Sequence, residues 1–586
     1  MFKPKYLIFR LTFYRVVKLN NWKLKQNKEI DEKRIIEIQK KYGVQRLVAK
    51  FLASKDFDEE EERIFLNPTR DDFHDPFLMP DMDKAVKRII EAINNNEKIT
   101  IFGDYDADGI TSTTILKRFF KDRGIDVGTY IPNRLNEGYG MNIDAIKKIA
   151  EDGTKLIITV DTGITAVEEV KYAKELGIDV VVTDHHEQAE EIPDAVAVVD
   201  LKRNDSKKYP FRDLCGAGVA FKLCLALCDK MNIKEDEALK YIVFAAIGTI
   251  ADVMPLIDEN RIIVKFGLLL LIRSKYVGIN ELIRLAGLKN INTEAVAFGI
   301  APRLNACGRM GKQEDALELF TTDDPIKARE IAAKVESYNR ERQAIEADIY
   351  DEVEKNIEKE KNDAKCIVQY GDKWHHGVIG IVSSKITEKY NRPSILLGIE
   401  DGVAKGSGRS IEGFDLHEAL MKNNEYIDKF GGHSMAIGLS LKEDNLESFK
   451  KQIEQYANKV ITDEMLIKNI LIDEEVEKND LSISSIKEIS MLEPFGEENE
   501  KPVFLYKNLK IVSIRSLSEG KHLKLLLQDG DFNIDVIGFG LGYLTSQYSL
   551  GEKVDIVGNL DINSFNGRET IQMILKDMRK SIGNIK

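Results

Sequence analysis

Ile99-Thr100-Ile101-Phe102-Gly103-Asp104-Tyr105-Asp106-Ala107-Asp108-Gly109 is the stretch on which the fold of this chain turns. A short β-forming run ends in glycine, and three carboxylates then alternate within five residues. At strand spacing such side chains point the same way. Like charges held that close repel one another unless a cation lies between them. Asp-x-Asp-x-Asp-Gly also opens an EF-hand calcium loop. That loop needs a glutamate at its twelfth position, where this chain has Ile115, and a helix rather than a strand before it, so the EF-hand is excluded.

Working outward, residues 156–160, 180–183 and 196–199 read as further buried parallel strands, with helical patterns at 112–123 and 166–176 between them. This alternation belongs to an open α/β sheet. Such sheets place ligands beyond the C-terminal ends of their strands. Two more of these runs end in the same chemistry: Val160-Asp161-Thr162-Gly163 and Thr183-Asp184-His185-His186-Glu187. The segment from Gly248 to Met254 adds Asp252. One aspartate after a strand is ordinarily a turn or a cap. Four such clusters converging on one sheet edge describe instead a site for two divalent cations. Oxygen-rich ligands with one or two histidines favour Mn²⁺ or Mg²⁺ over zinc. Such a pair, about 3.5–4 Å apart, shares a carboxylate and activates a water for in-line attack on phosphorus.

The 586 residues call for three or four domains. With 43% apolar and 31% charged residues the chain is globular and soluble, and no apolar run is long enough to span a bilayer. The net charge of −13, from 85 basic and 98 acidic residues, weighs against a nucleic-acid binder, although a basic groove can sit on an acidic body. The cysteines, Cys215, Cys224, Cys228, Cys307 and Cys366, are odd in number and scattered, which argues for buried core thiols rather than disulfides or zinc ligands. Lys3, Lys5, Arg10, Arg15 and Lys18 interrupt any apolar core at the N-terminus, so residues 1–19 are read as a poorly ordered extension on a cytoplasmic protein.

Residues 211–322 are largely helical, and Asp324-Pro325 opens a long exposed connecting helix that runs to about 361. A second, smaller α/β segment follows, with strand-like runs 366–370 and 394–397 around a helix at 378–390. Five short strands, at 509–514, 522–528, 532–539, 553–560 and 570–575, with the hairpin signals Asp529-Gly530 and Asn566-Gly567, suggest a terminal β-barrel of the OB type. The expected domains are an N-terminal extension and helical segment (1–75), a parallel-sheet α/β domain (76–322), a connecting helix (323–362), a smaller α/β domain (363–462) and a barrel (463–586). Gly-rich turns in the smaller α/β domain let backbone N–H groups approach phosphate. Arg303 and Arg409 could add bidentate phosphate contacts, and Tyr139 and Phe414 offer stacking surfaces.

These residues resemble the DHH phosphoesterase family, which takes its name from the triplet Asp184-His185-His186. Asp104 to Gly109, Asp161 and Asp252 look like its other signature motifs, in the right order. The resemblance implies that Asp106 and Asp161, with Asp104, hold one metal. It implies that Asp108, Asp161, His185 and Asp252 hold the other, with Asp161 bridging, and that His186 faces the substrate phosphate. In the pyrophosphatase branch a histidine stands where this chain has Phe102, which cannot ligate, so the chain departs from that branch.

The rest of the chain is similar to the RecJ-type exonucleases of that family, and the smaller α/β domain would then be of the DHHA1 type. Asn133-Arg134-Leu135-Asn136-Glu137-Gly138-Tyr139-Gly140 looks like a segment near the DNA path. So does Ala301-Pro302-Arg303-Leu304-Asn305-Ala306-Cys307-Gly308-Arg309-Met310. His376-Gly377-Val378-Ile379-Gly380, Ser407-Gly408-Arg409-Ser410 and Gly431-Gly432-His433-Ser434 resemble the second domain, and Pro494-Phe495-Gly496 the lead-in to the barrel. The implied substrate contacts are Arg134, Tyr139, Arg303, Asn305, Arg309, His376, Ser407, Arg409, Gly432 and His433. The implied activity is 5′-to-3′ digestion of single-stranded DNA in recombination and repair. The enzyme would be a monomer, fed by a helicase and a single-strand-binding protein, with no membrane partner. Two alternatives stand beside it. A phosphodiesterase of short oligonucleotides or cyclic dinucleotides would not require the barrel or the long helix. A non-catalytic scaffold would ordinarily lose ligands, and here the set is complete.

Overall fold

The computed structural model describes residues 20–25, 31–55, 57–134, 137–138, 140–360, 364–565 and 567–581. The N-terminal extension 1–19 and Tyr139 lie outside them. The chain divides into two compact units, one made of Arg63–Ile345 with Glu493–Glu500, the other of Met1–Glu62, Glu346–Leu492 and Lys501–Lys586.

In the first unit, β1 (Ile99–Phe102), β2 (Gly128–Tyr130), β3 (Leu156–Thr159), β4 (Asp179–Thr183) and β5 (Ala197–Val199) form an all-parallel sheet in the order β2-β1-β3-β4-β5. The strands are apolar almost throughout because both faces are covered. Ile99, Ile101, Leu156, Ile158, Val181 and Val199 share one core with the helices Met82–Asn94, Ala107–Lys121 and Gly216–Lys230. Phe102, Ile157, Val180, Val182 and Val198 share the other with Ile143–Glu151 and Val167–Glu175. Phe102 stacks on Tyr130 at 5.3 Å and is a core residue. The three-residue edge strand β2 has no sequence signature, since it is too short for a period.

Helix Gly216–Lys230 is anchored to helix Asp258–Leu271 by a buried ionic group. Lys222 Nζ donates to Glu259 Oε1 at 2.7 Å, Tyr209 donates its hydroxyl to the same carboxylate, and His74 N donates at 2.9 Å. Both charged side chains are 0% exposed.

In the second unit, β6 (Ile367–Asp372), β7 (Ser394–Glu400), β8 (Val403–Arg409), β9 (Lys429–His433) and β10 (Ala436–Lys442) form a sheet in the order β9-β10-β8-β7-β6. Only β6 and β7 are parallel, joined by helix His376–Tyr390. Phe414 is 3% exposed in the core of this domain. It is therefore not the stacking surface its position suggested, because the apolar run around it packs inward. Further on, β11 (Phe504–Leu517), β12 (His522–Asp529), β13 (Phe532–Gly538), β14 (Lys553–Phe565) and β15 (Arg568–Lys580) close into a five-stranded barrel. Its order is β11-β12-β13-β15-β14, with β14 pairing back onto β11 and β13 parallel to β15. This is the OB-type barrel read from the turn signals. The N-terminal strand Asn21–Leu24 pairs in parallel with Asn469–Ile472, and Trp22 Nε1 donates to Asp577 at 2.8 Å. The connecting helix is real: Pro325–Glu360 runs for 36 residues from Asp324, whose Oδ1 accepts from Ile326 N at 2.8 Å. Among the described residues no helix is long and apolar enough to cross a membrane.

Lys222→Met is expected to destabilise the protein by about 3–5 kcal/mol in chemical denaturation, because it strands Glu259 as a buried, uncompensated charge. A loss below 1 kcal/mol would show that the ion pair does not anchor the helix.

Candidate metal centre

The three carboxylates of the opening stretch do not converge by strand alternation. β1 ends at Phe102, and Asp106 is the N-cap of helix Ala107–Lys121, its Oδ1 accepting from Asp108 N and Gly109 N at 3.0 Å. Asp104 precedes the cap and Asp108 occupies the first helical turn, so a turn rather than a pleat gathers them. That is why the helix starts earlier than the apolar pattern from Ser112 indicates.

Asp108 is held by a second helix. Gly216 N donates to its Oδ2 at 2.7 Å and Ala217 N to its Oδ1 at 2.9 Å, at the start of Gly216–Lys230. Backbone amides and the positive end of the helix dipole both favour a carboxylate there. Asp161 follows β3 in a left-handed conformation, φ 59°, and is buried. A Cβ on Gly216 would lie 2.5 Å from Asp161 Cβ, and one on Gly248 would lie 2.5 Å from Asp108 Oδ1. Both glycines therefore exist to let backbone approach the site. Sequence reasoning passed over Gly216; the small-residue run Gly216-Ala217-Gly218 at a helix start was the available signal.

His185 Nε2 sits 3.0 Å from Asp161 Oδ1, 3.7 Å from Asp108 Oδ2 and 3.8 Å from Asp252 Oδ2. Burial lowers its pKa, leaving a neutral imidazole with a lone pair to offer. His186 differs. Burial works against its charge, but the Nδ1 contact with Asp184 Oδ1 at 2.7 Å outweighs it and raises the pKa to about 9. Burial pushes Asp184 up in turn, and the hydrogen bond and charge of His186 pull its carboxyl below the usual range. Asp184 Oδ2 accepts from Ile164 N at 2.9 Å, which ties the loop after Asp161 to the histidine pair. Asp184 thus holds the site together without facing it, a role the triplet alone did not reveal.

Donor atoms within 4.8 Å of one another form three overlapping groups: Asp104, Asp106 and Asp161; Asp108, His185 and Asp252; and Asp161, His185 and His186. The third draws on Asp161 and His185, which the other two already use, and the Nδ1 of its His186 is engaged with Asp184 Oδ1. The first two fit divalent cations. Burial pushes Asp104 and Asp252 up to about 8, and Asp161 well above its ordinary value, with neighbouring aspartates adding to the effect. Asp104 Oδ1 is buried with no hydrogen-bond partner among the described residues, and the buried Asp161 Oδ1 meets only the His185 ring nitrogen at 3.0 Å, outside hydrogen-bond geometry. Carboxylate oxygens left bare in a crowded, desolvated site are ligands awaiting a cation.

Around this centre, Arg134 lies over the ring of Tyr105 at 5.2 Å, and Arg134 and Arg309 both act electrostatically on Tyr105. Asn305 Oδ1 accepts from Ala107 N at 2.9 Å, locking helix Ala301–Arg309 to the carboxylate loop. Arg303, expected to meet phosphate, has protein partners of its own. Its Nε donates to Glu336 at 2.8 Å and its Nη1 to Gly299 O at 2.6 Å, fastening one helix to another.

In the second unit, Arg409 Nη1 donates to Ser407 Oγ at 3.0 Å and to Gly408 O at 2.8 Å. His433 and Arg409 flank Ala436 across three adjacent strands. Gly432 takes φ 129°, and a Cβ there would run into Ala436 O. His376 Nδ1 is buried with no hydrogen-bond partner among the described residues, and burial lowers its pKa. Ser407, Arg409, Gly432 and His433 thus share one end of one sheet.

Comparison with known proteins follows the same outline. Family models match residues 98–249 ("DHH family, N-terminal domain"), 363–459 ("DHHA1 domain") and 472–577 ("RecJ OB domain"). The single-stranded-DNA-specific exonuclease RecJ of Bacillus subtilis is 41% identical over 553 residues, 93% of this chain and 70% of that protein. The protein of the same name from Thermus thermophilus is 34% identical over 497 residues, 85% of this chain and 71% of that protein. The crystal structure of Thermus thermophilus RecJ in complex with Mn²⁺ matches with a TM-score of 0.82 at 31% identity, over 96% of this chain and 79% of that one. The Mg²⁺ complex matches with a TM-score of 0.76 at 28% identity, over 96% and 78%.

Two outcomes are expected from the geometry. Gly216→Ala should cost at least about 100-fold in hydrolysis and weaken Mn²⁺ binding in calorimetry, because a displaced Asp161 ruins a site that tolerates little misplacement. Asp184→Asn removes what raises the His186 pKa. The imidazolium, which burial disfavours and Asp184 favours, with its pKa raised to about 9, would then be lost at lower pH as pH rises. The alkaline limb of the kcat/KM profile should move down accordingly. An unmoved limb would show that His186 does not act protonated.

Proposed function

The chain belongs to the RecJ family, and from that membership we propose how its residues carry out the work of a metal-dependent exonuclease specific for single-stranded DNA. The observation that carries the reading is the pair of donor groups at the strand ends, with buried carboxylate oxygens on Asp104 and Asp161 that lack a hydrogen bond among the described residues. Asp104, Asp106 and Asp161 hold one divalent cation. Asp108, Asp161, His185 and Asp252 hold the other, with Asp161 shared; the 3.0 Å approach of His185 to Asp161 supports this. Mn²⁺ or Mg²⁺, when bound, polarises a water and neutralises charge on the phosphoryl oxygens. His186, kept protonated by Asp184, presents its charge to the scissile phosphate, and the Gly216 and Ala217 amides keep Asp108 in place throughout.

The DNA-binding residues follow the same logic. Arg134 and Arg309, beside the Tyr105 ring, receive the backbone next to the scissile bond. Tyr139, a few residues after Arg134 in sequence, is a further proposed contact, and so is Asn305, which accepts from Ala107 N of the carboxylate loop. Ser407, Arg409, Gly432 and His433, with His376 on the helix that packs against β8, anchor a terminal 5′ phosphate, which sets 5′-to-3′ polarity. The barrel adds a strand-binding face. Arg515, Lys524 and Ile537 are cross-strand neighbours on β11, β12 and β13, and Phe539, 58% exposed, meets His522 at 5.4 Å. Cations interleaved with aromatic rings suit a single strand of any sequence. The proposed domain limits are those read from the sequence, supported by the matched ranges. Single strands of this kind come from duplex unwinding, so a helicase and a single-strand-binding protein are the proposed partners. The five buried, unpaired thiols support a reducing, cytoplasmic setting.

A strand labelled at either end, with and without a duplex block, tests this. With Mn²⁺ present the 5′ label should leave first as mononucleotide, a block at the 5′ end should stop digestion, and Asp161→Ala should abolish release with the melting profile kept. Early release of the 3′ label would overturn the polarity. Activity in Asp161→Ala would overturn the metal site.

A further inference from the structure

Pro494-Phe495-Gly496, which resembles a lead-in to the barrel, has no part in the reaction as described. In sequence it stands between the short helix Ile489–Leu492 and β11, yet Glu493–Glu500 packs as part of the catalytic unit. Leu256 N donates to Glu497 O at 2.8 Å. A Cβ on Gly496 would lie 2.6 Å from Leu256 Cδ1, so any larger residue there has to push the Leu256 side chain aside. Asn499 Nδ2 closes the turn onto Pro494 O at 2.8 Å.

Arg261 clamps the turn from the other side. Its Nη2 donates to Glu493 O at 2.9 Å, its Nη1 to Pro494 O at 3.4 Å and its Nε to Phe65 O at 2.9 Å, while the guanidinium lies 3.7 Å from the Phe65 ring centroid. The side chain is 2% exposed, and no carboxylate among the described residues pairs with it. Burial alone drops its pKa to about 9. A buried cation satisfied only by main-chain carbonyls is unfavourable compared with an apolar side chain of the same length, unless its fork is needed where it is.

What the clamp holds is the approach to Asp252. Asp252 ends helix Ile242–Ala251, and Val253 then takes φ 56°. A β-branched residue rarely adopts that left-handed conformation, and it persists only where surrounding structure enforces it. Met254 N bonds back to Thr249 O at 3.1 Å. Asn260, next to Arg261 and buried, donates through Nδ2 to Pro255 O at 3.0 Å and to Asp213 O at 2.5 Å. Asp213 leads directly into Gly216 and Ala217, which hold Asp108. One helical turn, Asn260-Arg261, therefore fastens the Asp252 loop, the segment that secures Asp108 and the Glu493–Asn499 turn together.

We propose that the Glu493–Asn499 turn, clamped by Arg261 and Leu256, is a positioning element of the metal centre that fixes Asp252 rather than a passive linker to the barrel. This rests on the metal-site reading above. Arg261 and Gly496 act through Asp252 and are positioning residues.

The test uses the full chain with Arg261→Met, Arg261→Lys and Gly496→Ala. Mn²⁺ binding is measured by calorimetry without DNA, and kcat and KM on a 5′-phosphorylated single strand. Arg261→Met and Gly496→Ala should weaken Mn²⁺ binding by about tenfold and lower kcat by about 100-fold, with KM for DNA unchanged, and Arg261→Lys should recover part of both. If Arg261→Met fails to fold, Gly496→Ala carries the same measurement from the side of the turn. Native Mn²⁺ affinity and kcat in the folded variants would overturn the proposal, as would a rise in KM with Mn²⁺ binding intact. A wild-type chain that binds Mn²⁺ but leaves DNA uncut would instead refute the substrate reading, and the calorimetric comparison would still decide the clamp.

Discussion

Five aspartates from three separate segments are pressed into one buried pocket, and mutual repulsion there is what the rest of the catalytic unit answers. Desolvation and crowding raise the pKa of Asp104, Asp106, Asp161 and Asp252, to about 8 for Asp104 and Asp252. The fold offers partial relief from its own groups: amides at two helix N-termini, capped by Asp106 and aimed at Asp108, and one imidazolium facing the cluster. These are fixed dipoles and a single charge, too little to balance so many carboxylates. Divalent cations supply the remainder, so the same repulsion that penalises the empty pocket gives it affinity for metal.

Holding the ligands in register takes close packing more than strong bonds. Gly216 and Gly248 remove side chains where backbone must touch a carboxylate, and Asp161 and Val253 accept left-handed conformations to aim what lies beside them. Strain of this kind is stable only when surroundings over-determine it. The over-determination is visible in the first turn of helix Asp258–Leu271. Glu259 binds Lys222 of the helix that carries Gly216, Asn260 bridges the loops before Gly216 and after Asp252, and Arg261 grips a turn from far along the chain. Three consecutive buried polar residues serve three different segments.

The second unit repeats the principle with the opposite charge. Its sheet presents Arg409, Ser407 and His433 at one end, with Gly432 leaving no side chain beside His433 on β9. A net charge of −13 does not stop a protein from binding a polyanion, because a few cations gathered at one site act locally.

Much of this was legible without coordinates. β1, β3, β4 and β5 announce themselves as apolar runs because a two-sided sheet leaves no polar position, and the Asp and His clusters stand at their ends because parallel sheets open there. The five barrel strands could be read from alternation and turns. Illegible were β2 and strands β8 to β10, which are short, glycine-rich or exposed, so no period forms. Gly216 and Arg261 were missed, and the partners of Asp184 and Arg303 went unread, since each acts through a partner more than 19 residues away in sequence or through a main-chain atom. Chemistry and chain order are properties of residue type and local spacing, and these the sequence by itself determined. Which carboxylate meets which amide, which arginine is occupied, and where the Glu493–Asn499 turn docks depend on long-range packing, where distances of a few ångströms decide and no local pattern records them; only the tertiary structure settled those.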